Sequence, residues 1–95
     1  MKNLITTPKK IEFVNTSEYT HILASNNIKP HEYIIDMSAT EYAHIAFVGF
    51  LIDSHQVISS KGGKLNIIVS KKIFKLLNRF NLVDLLNIKI KHVLL

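Results

Sequence analysis

The spacing of apolar positions switches between two and about 3.6 along this chain, and each switch marks an element. Leu4–Thr7 and Lys10–Val14 read as short extended segments around Pro8-Lys9, either a hairpin or one strand kinked at the proline. A helix start follows. Asn15 is placed to be its N-cap, with Glu18 three residues on as the capping-box partner and Val14 and Tyr19 spaced as a hydrophobic staple. Tyr19, Ile22 and Leu23 give that helix a narrow apolar stripe, and it is expected to end near Asn26-Asn27, before Pro30. Tyr33-Ile34-Ile35 is a short apolar run that suits a central strand buried on both faces, with Asp36 at its end.

The loop Met37–Ala43 leads to a helix predicted over Ala46–Ser60. Its first half is apolar almost all round (Phe47, Val48, Phe50, Leu51, Ile52), and its second half is amphipathic. Gly62-Gly63 ends it, since glycine takes the left-handed conformation that helix C-termini often use. Leu65–Val69 reads as the parallel partner of Tyr33–Ile35, reached by a right-handed crossover. Ser70 caps the next helix, with Val69 and Phe74 as its staple. Ile73, Phe74, Leu76, Leu77 and Phe80 form its inner face and Lys71, Lys72, Lys75 and Arg79 its outer face, and Asn81 ends it. Leu82–Leu86 makes a further turn, and Ile88–Val93 alternates as a last, edge strand. The order β(β)αβαβαβ implies an α/β fold. The expected form is a small mixed sheet of four to five strands, with about four helices mainly on one face.

Ninety-five residues fit one domain, 1–95, with one modest core. The absence of cysteine excludes disulfides, thiolate metal sites and thiol catalysis. The longest apolar run, Ile45–Ile52, is far short of the roughly 20 residues a spanning helix needs. No apolar segment follows Lys2, so no signal peptide is read and the cytoplasm is the expected location. The net charge of +5 is uneven. Residues 1–47 carry four lysines against five acids, and residues 48–95 carry eight basic residues against two. Lys61, Lys64, Lys71, Lys72, Lys75 and Arg79 could attract nucleic acid, an anionic membrane surface or an acidic protein. No nucleic-acid motif accompanies them, and Arg79 is the one residue able to grip phosphate bidentately, so a solvated lysine-rich surface is the plainer reading.

Four stretches together resemble the STAS domain, the fold of bacterial anti-sigma factor antagonists and of modules on anion transporters and lipid-transport ABC systems. Tyr33-Ile34-Ile35-Asp36-Met37-Ser38 is similar to the family's strand and Asp-Leu-Ser. Val48-Gly49 is similar to its small-residue helix start, Lys61-Gly62-Gly63-Lys64-Leu65 to its Gly-Gly turn, and Asn81-Leu82-Val83-Asp84-Leu85-Leu86 to its Leu-rich end. The resemblance spans roughly residues 33–90 and implies a STAS-like fold and a non-enzymatic, protein-binding role in regulation. Where the family carries Asp-Ser-Ser-Gly, this chain has His44-Ile45-Ala46-Phe47, with no hydroxyl among the four. The family's phosphorylated serine is therefore missing, and a bulkier apolar tip stands in its place.

The partner-binding face implied by this reading comprises Ser38, Thr40, His44, Ile45, Ala46, Phe47 and Phe50. Phe47 is either a docking anchor or a core residue. Ser38 and Thr40 are candidates for a relocated phosphosite or for loop hydrogen bonds. Asp36 stands without a paired carboxylate and reads as a loop-stabilising acid. His21, His31, His44, His55 and His92 show no i,i+4 pair, so no metal site is expected, nor any cofactor. The partners implied are an anti-sigma-type kinase, a regulator or the ATPase subunit of a lipid ABC transporter. A second copy of the chain is a further expectation, and a basic nucleic-acid binder is the alternative of another class.

Overall fold

Residues 32–37 alternate between half-buried and buried along their whole length, and residues 64–69 alternate likewise after an exposed Lys64. This period of two places Tyr33, Ile35 and Met37 on one side of a sheet, beside Leu65, Ile67 and Val69 in register. The computed structural model describes residues 2–16, 18–19, 32–86 and 88–90, with side chains from residue 4 on. Strand β1 is Lys2–Thr6 and β2 is Lys10–Ile11. Helical residues 13–16 and 18–19 form α1. Then come β3 (Glu32–Met37), β4 (Tyr42–Ala43), α2 (Ile45–Ser60), β5 (Lys64–Val69), α3 (Lys71–Arg79) and β6 (Ile88–Ile90). The fold is α/β, and its radius of gyration, 12.6 Å, is close to the roughly 12 Å expected of one compact unit this long.

The main sheet runs β1-β3-β5-β6, and every pair in it is parallel. A mixed sheet was expected. Its place is taken by this parallel sheet and a separate two-stranded parallel pair, β2-β4. The described residues hold three helices, where about four were expected. Strand order follows chain order without reversal, so no crevice opens at a switch point between strands. Crossovers of one hand then bring the connecting segments to one face. The core agrees: Phe47, Leu51 and Ile58 of α2 and Ile73 and Leu77 of α3 join the inner row of the sheet in one cluster. The opposite row, Glu32, Ile34, Asp36, Lys64, Asn66 and Ile68, is half-buried or exposed. Strand β3 is thus buried on one face, not two. The Tyr-Ile-Ile run hid an alternation that becomes visible only over six residues.

Proline separates the first two strands more completely than a kink or a hairpin would. β1 pairs with β3 in the main sheet and β2 with β4 in the small one. Helix α1 begins three residues earlier than its sequence signal. The Glu12 carbonyl accepts from the amides of Asn15 and Thr16, and Asn15 Oδ1 reaches back to the Glu12 amide at 3.0 Å. Asn15 therefore plays the third-residue role of a capping box, and Glu12 occupies the cap position. The expected stripe at Ile22 and Leu23, the end at Asn26-Asn27, and Pro30 lie outside the described residues.

The helix ends follow local chemistry closely. Gly62 (φ 79°) and Gly63 donate to the carbonyls of Ser59 and Ile58, the paired bonds of a Schellman turn. Asn81 (φ 56°) and Leu82 repeat the pattern on Asn78 and Leu77, with asparagine tolerating the left-handed region. Ser70 caps α3, its Oγ accepting from the Ile73 amide at 3.2 Å. Phe80, expected on the inner face, is 47% exposed because it sits at the C-cap, past the last buried turn.

The one-sided burial can be checked with two adjacent residues of β5. Ile67→Ala is expected to destabilise the protein by about 2–5 kcal/mol, as a fully buried isoleucine. Ile68→Ala, on the half-buried row, is expected to cost about 1 kcal/mol. Urea unfolding of the two variants reads the difference, and equal losses would mean that both faces are covered.

Candidate functional site

The chain turns sharply after β1, β3 and β5, at the carboxyl ends of the sheet, and a hydroxyl cluster joins the three turns. Thr40 is fully buried, and its hydroxyl donates to the Pro8 carbonyl at 2.6 Å. A carbonyl can only accept, so that bond uses the one Thr40 proton. The 2.6 Å contact between Thr7 Oγ1 and Thr40 Oγ1 then has Thr7 as donor, leaving its 3.4 Å approach to the Asp36 carbonyl secondary. The Thr40 carbonyl accepts from Ser70 Oγ at 2.6 Å, and its amide donates to the Met37 carbonyl at 3.0 Å. Thr40 is therefore a tie between loops and cannot present a hydroxyl to a kinase or a partner without unfolding the loop. Ser38 is half-buried beside Asp36, whose Oδ1 accepts the Ser38 amide at 3.0 Å. This is an Asx-type turn and accords with a loop-stabilising Asp36.

The tie fixes the short strand β4 against β2. The Lys9 carbonyl accepts from the amides of Glu41 and Tyr42, and the Ile11 carbonyl from the amide of His44 at 2.8 Å. His44 then caps α2, its Nδ1 accepting from the Ala46 amide at 3.0 Å. The proton of the neutral ring is thereby assigned to Nε2. Helix α2 starts at Ile45, which is 56% exposed, while Ala46 is half-buried.

Phe47 and Phe50 do not belong to an outer face. Phe47 is fully buried and Phe50 nearly so. Tyr19 of α1 covers both, with ring centroids 5.5 Å from Phe47 (edge-on) and 6.3 Å from Phe50, and the two phenylalanines lie 5.0 Å apart. Edge-on and tilted rings at these distances attract through their quadrupoles as well as through buried area. Burial, and then the Glu18 carboxylate, push the Tyr19 hydroxyl above its usual range. Of the seven residues expected on the face, the structure keeps Ile45 in the open, leaves Ser38, His44 and Ala46 half-buried, and encloses Thr40, Phe47 and Phe50.

Other residues take the enclosed ones' places. Phe13, Val14 and Tyr42 are 65%, 64% and 50% exposed. Phe13 packs edge-on against His44 at 5.4 Å, and Tyr42 is paired with Lys10 across the small sheet. Phe13 by ring contact, Tyr42 across the shared depression and Ile45 as the next residue in the chain thus flank His44. Beside them an open depression of about 510 Å³ is lined by Lys10, Glu12, Tyr42 and His44. Sequence reasoning placed Phe13 and Val14 in a strand and a staple, and it missed Tyr42. The signal available was Val14 and Tyr42 standing beside polar residues outside any long apolar stripe.

Among the described residues no three His, Asp or Glu side chains group as metal ligands, and no helix is long and apolar enough to cross a membrane. His21, His31 and His92 lie outside the described residues.

The Thr40 tie predicts strong coupling. Thr40→Val leaves the Pro8 carbonyl and the Thr7 hydroxyl without their partner and is expected to cost about 1–3 kcal/mol. Thr7→Val combined with Thr40→Val should cost clearly less than the sum of the two single changes. A double-mutant cycle by urea unfolding measures this, and strict additivity would deny the tie.

No protein-family model, no curated protein and no solved structure matches the chain.

Proposed function

We propose that the chain is a non-enzymatic protein-interaction module that docks a partner through the apolar surface around His44 and so regulates it. The observation that carries this reading is the grouping of Phe13, Tyr42 and Ile45, each at least half exposed, beside His44 at the start of α2. Single exposed apolar residues are ordinary, but a contiguous group rimmed by polar residues marks interaction surfaces. Leu4, Val57, Phe80 and Leu85 are exposed elsewhere in the chain. The hydroxyl and carboxylate groups with chemical potential nearby, Thr40 and Asp36, are engaged in holding the loops. The STAS resemblance directs attention to the same helix start, and the partner would be engaged there without phosphorylation of Thr40.

Gly49 supports the reading independently. It lies one turn after Ile45 on the exposed side of α2, and a Cβ added there would meet nothing within 4 Å. A mid-helix glycine costs about 0.5–1 kcal/mol relative to alanine, and no packing among the described residues requires it. Close approach of a partner would.

Two variants test the proposal. Ile45→Glu places an acid in the first turn of α2, where the helix dipole favours it, so the fold is expected to persist. Affinity purification should recover a stoichiometric protein with the wild type and at least tenfold less with this variant, and the pair should reassemble from purified components. Equal recovery, with unchanged circular dichroism, would remove this surface from the function. Phe47→Asp is uninformative here, since it charges a fully enclosed position. Gly49→Ala is expected to stabilise the protein by about 0.5–1 kcal/mol in thermal unfolding while weakening the same complex.

A further inference from the structure

The rim of the apolar surface is mostly cationic. Lys9 and Lys10 stand at the entry to the small sheet, and Lys71 and Lys72 occupy the first turn of α3, which contains no acid. The amino-terminal turn of a helix already carries partial positive charge, so two lysines there stand against the local field. Among the described residues, the acids on this side include Glu12, which lines the depression, Glu41, and Glu18, exposed on α1. Glu41 directly precedes Tyr42 and lies between two cations, 3.6 Å from Lys9 Nζ and 3.9 Å from Lys72 Nζ. All three side chains are about half exposed or more. Pairs of this length and exposure are weak and exchange readily with other anions.

We infer that the partner segment is acidic as well as apolar, and that Glu41 holds Lys9 and Lys72 as a stand-in for its carboxylates. The inference rests on reading the surface as a docking site. Apolar side chains of the segment cover Phe13, Tyr42 and Ile45. Its Asp or Glu side chains take over Lys9 and Lys72 from Glu41 and reach Lys10 and Lys71. An amphipathic acidic helix or an extended acidic-apolar segment has this pattern. A neutral apolar segment would leave Lys9 and Lys72 with Glu41 and would bring no counter-charge to Lys10 and Lys71, and a basic one would be repelled by the lysines.

The test uses the whole chain and a displayed library of random 16-residue peptides. Selection is made on the wild type, with counter-selection on Ile45→Glu protein that circular dichroism shows to be folded. The expected survivors combine apolar residues with a clear excess of Asp and Glu. The affinity of a survivor, measured by fluorescence anisotropy, should fall about threefold to tenfold between ~50 and ~500 mM salt as charges are screened. Lys10→Gln with Lys72→Gln should weaken it by about the same factor. Glu41→Gln should strengthen it about twofold to fivefold by releasing two lysines from competition.

Survivors that need Ile45 but are neutral or basic would overturn the acidic partner and leave the docking surface standing. A library with no Ile45-dependent survivor would overturn both. An unchanged or lowered affinity with Glu41→Gln would overturn the stand-in role. A single-stranded oligonucleotide or an anionic vesicle bound more tightly than every acidic survivor would assign the cations to phosphate instead, and would likewise overturn the inference.

Discussion

The buried hydroxyl of Thr40 is the constraint on which the rest of this end of the molecule depends. One residue bonds to the end of β1 through Thr7 and Pro8, to β3 through Met37, and to the β5-α3 junction through Ser70. These turns are irregular backbone inside a small protein, where an unpaired polar group is expensive. Thr40 and its neighbours satisfy one another, and among the described residues no buried side-chain polar atom lacks a partner. With the loop held this way, β4 has a defined position, and so have the Glu41 ion pairs and the start of α2.

A second constraint comes from a one-sided sheet. Four parallel strands in chain order direct their connecting segments to one face, and the apolar half of each strand follows them. Helix α2 must then fit between the sheet and α1. Its first half is apolar almost all round because it meets both, with Phe47 and Phe50 against Tyr19 and Leu51 in the main core. The position where a STAS-like reading expects a compact glycine is filled by an aromatic ring that turns inward. Its bulk is absorbed by α1, and Phe13, Tyr42 and Ile45 are the apolar residues left exposed beside His44.

Charge and apolar area meet at Glu41. The basic excess of the second half of the sequence is spread over the chain, but its Lys71 and Lys72 share a rim with Lys9 and Lys10 from the first half. Glu41 reaches from β4 to both groups. In the proposed docking, charge would contribute to the choice of partner as much as shape, because weak exposed pairs contribute more to choice than to strength.

Elements governed by local chemistry were legible in the sequence. The bounds of α2, the Gly62-Gly63 turn, the Ser70 cap, the helix end at Asn81 and strand β5 all depend on residues within a few positions of one another, and backbone conformation and capping act over that range. Elements governed by long-range pairing were not. Whether β1 joined β2 or β3, whether the sheet was mixed or parallel, and whether Tyr33-Ile34-Ile35 was buried once or twice depended on partners 30 or so residues away. The candidate surface divides in the same way. Ile45 and His44 could be singled out at a helix start from sequence alone. That Thr40 is a buried tie, that Tyr19 encloses Phe47 and Phe50, and that Phe13 and Tyr42 stand open beside His44 followed only from tertiary packing. A side chain's exposure is set by what the fold brings against it, not by its own chemistry.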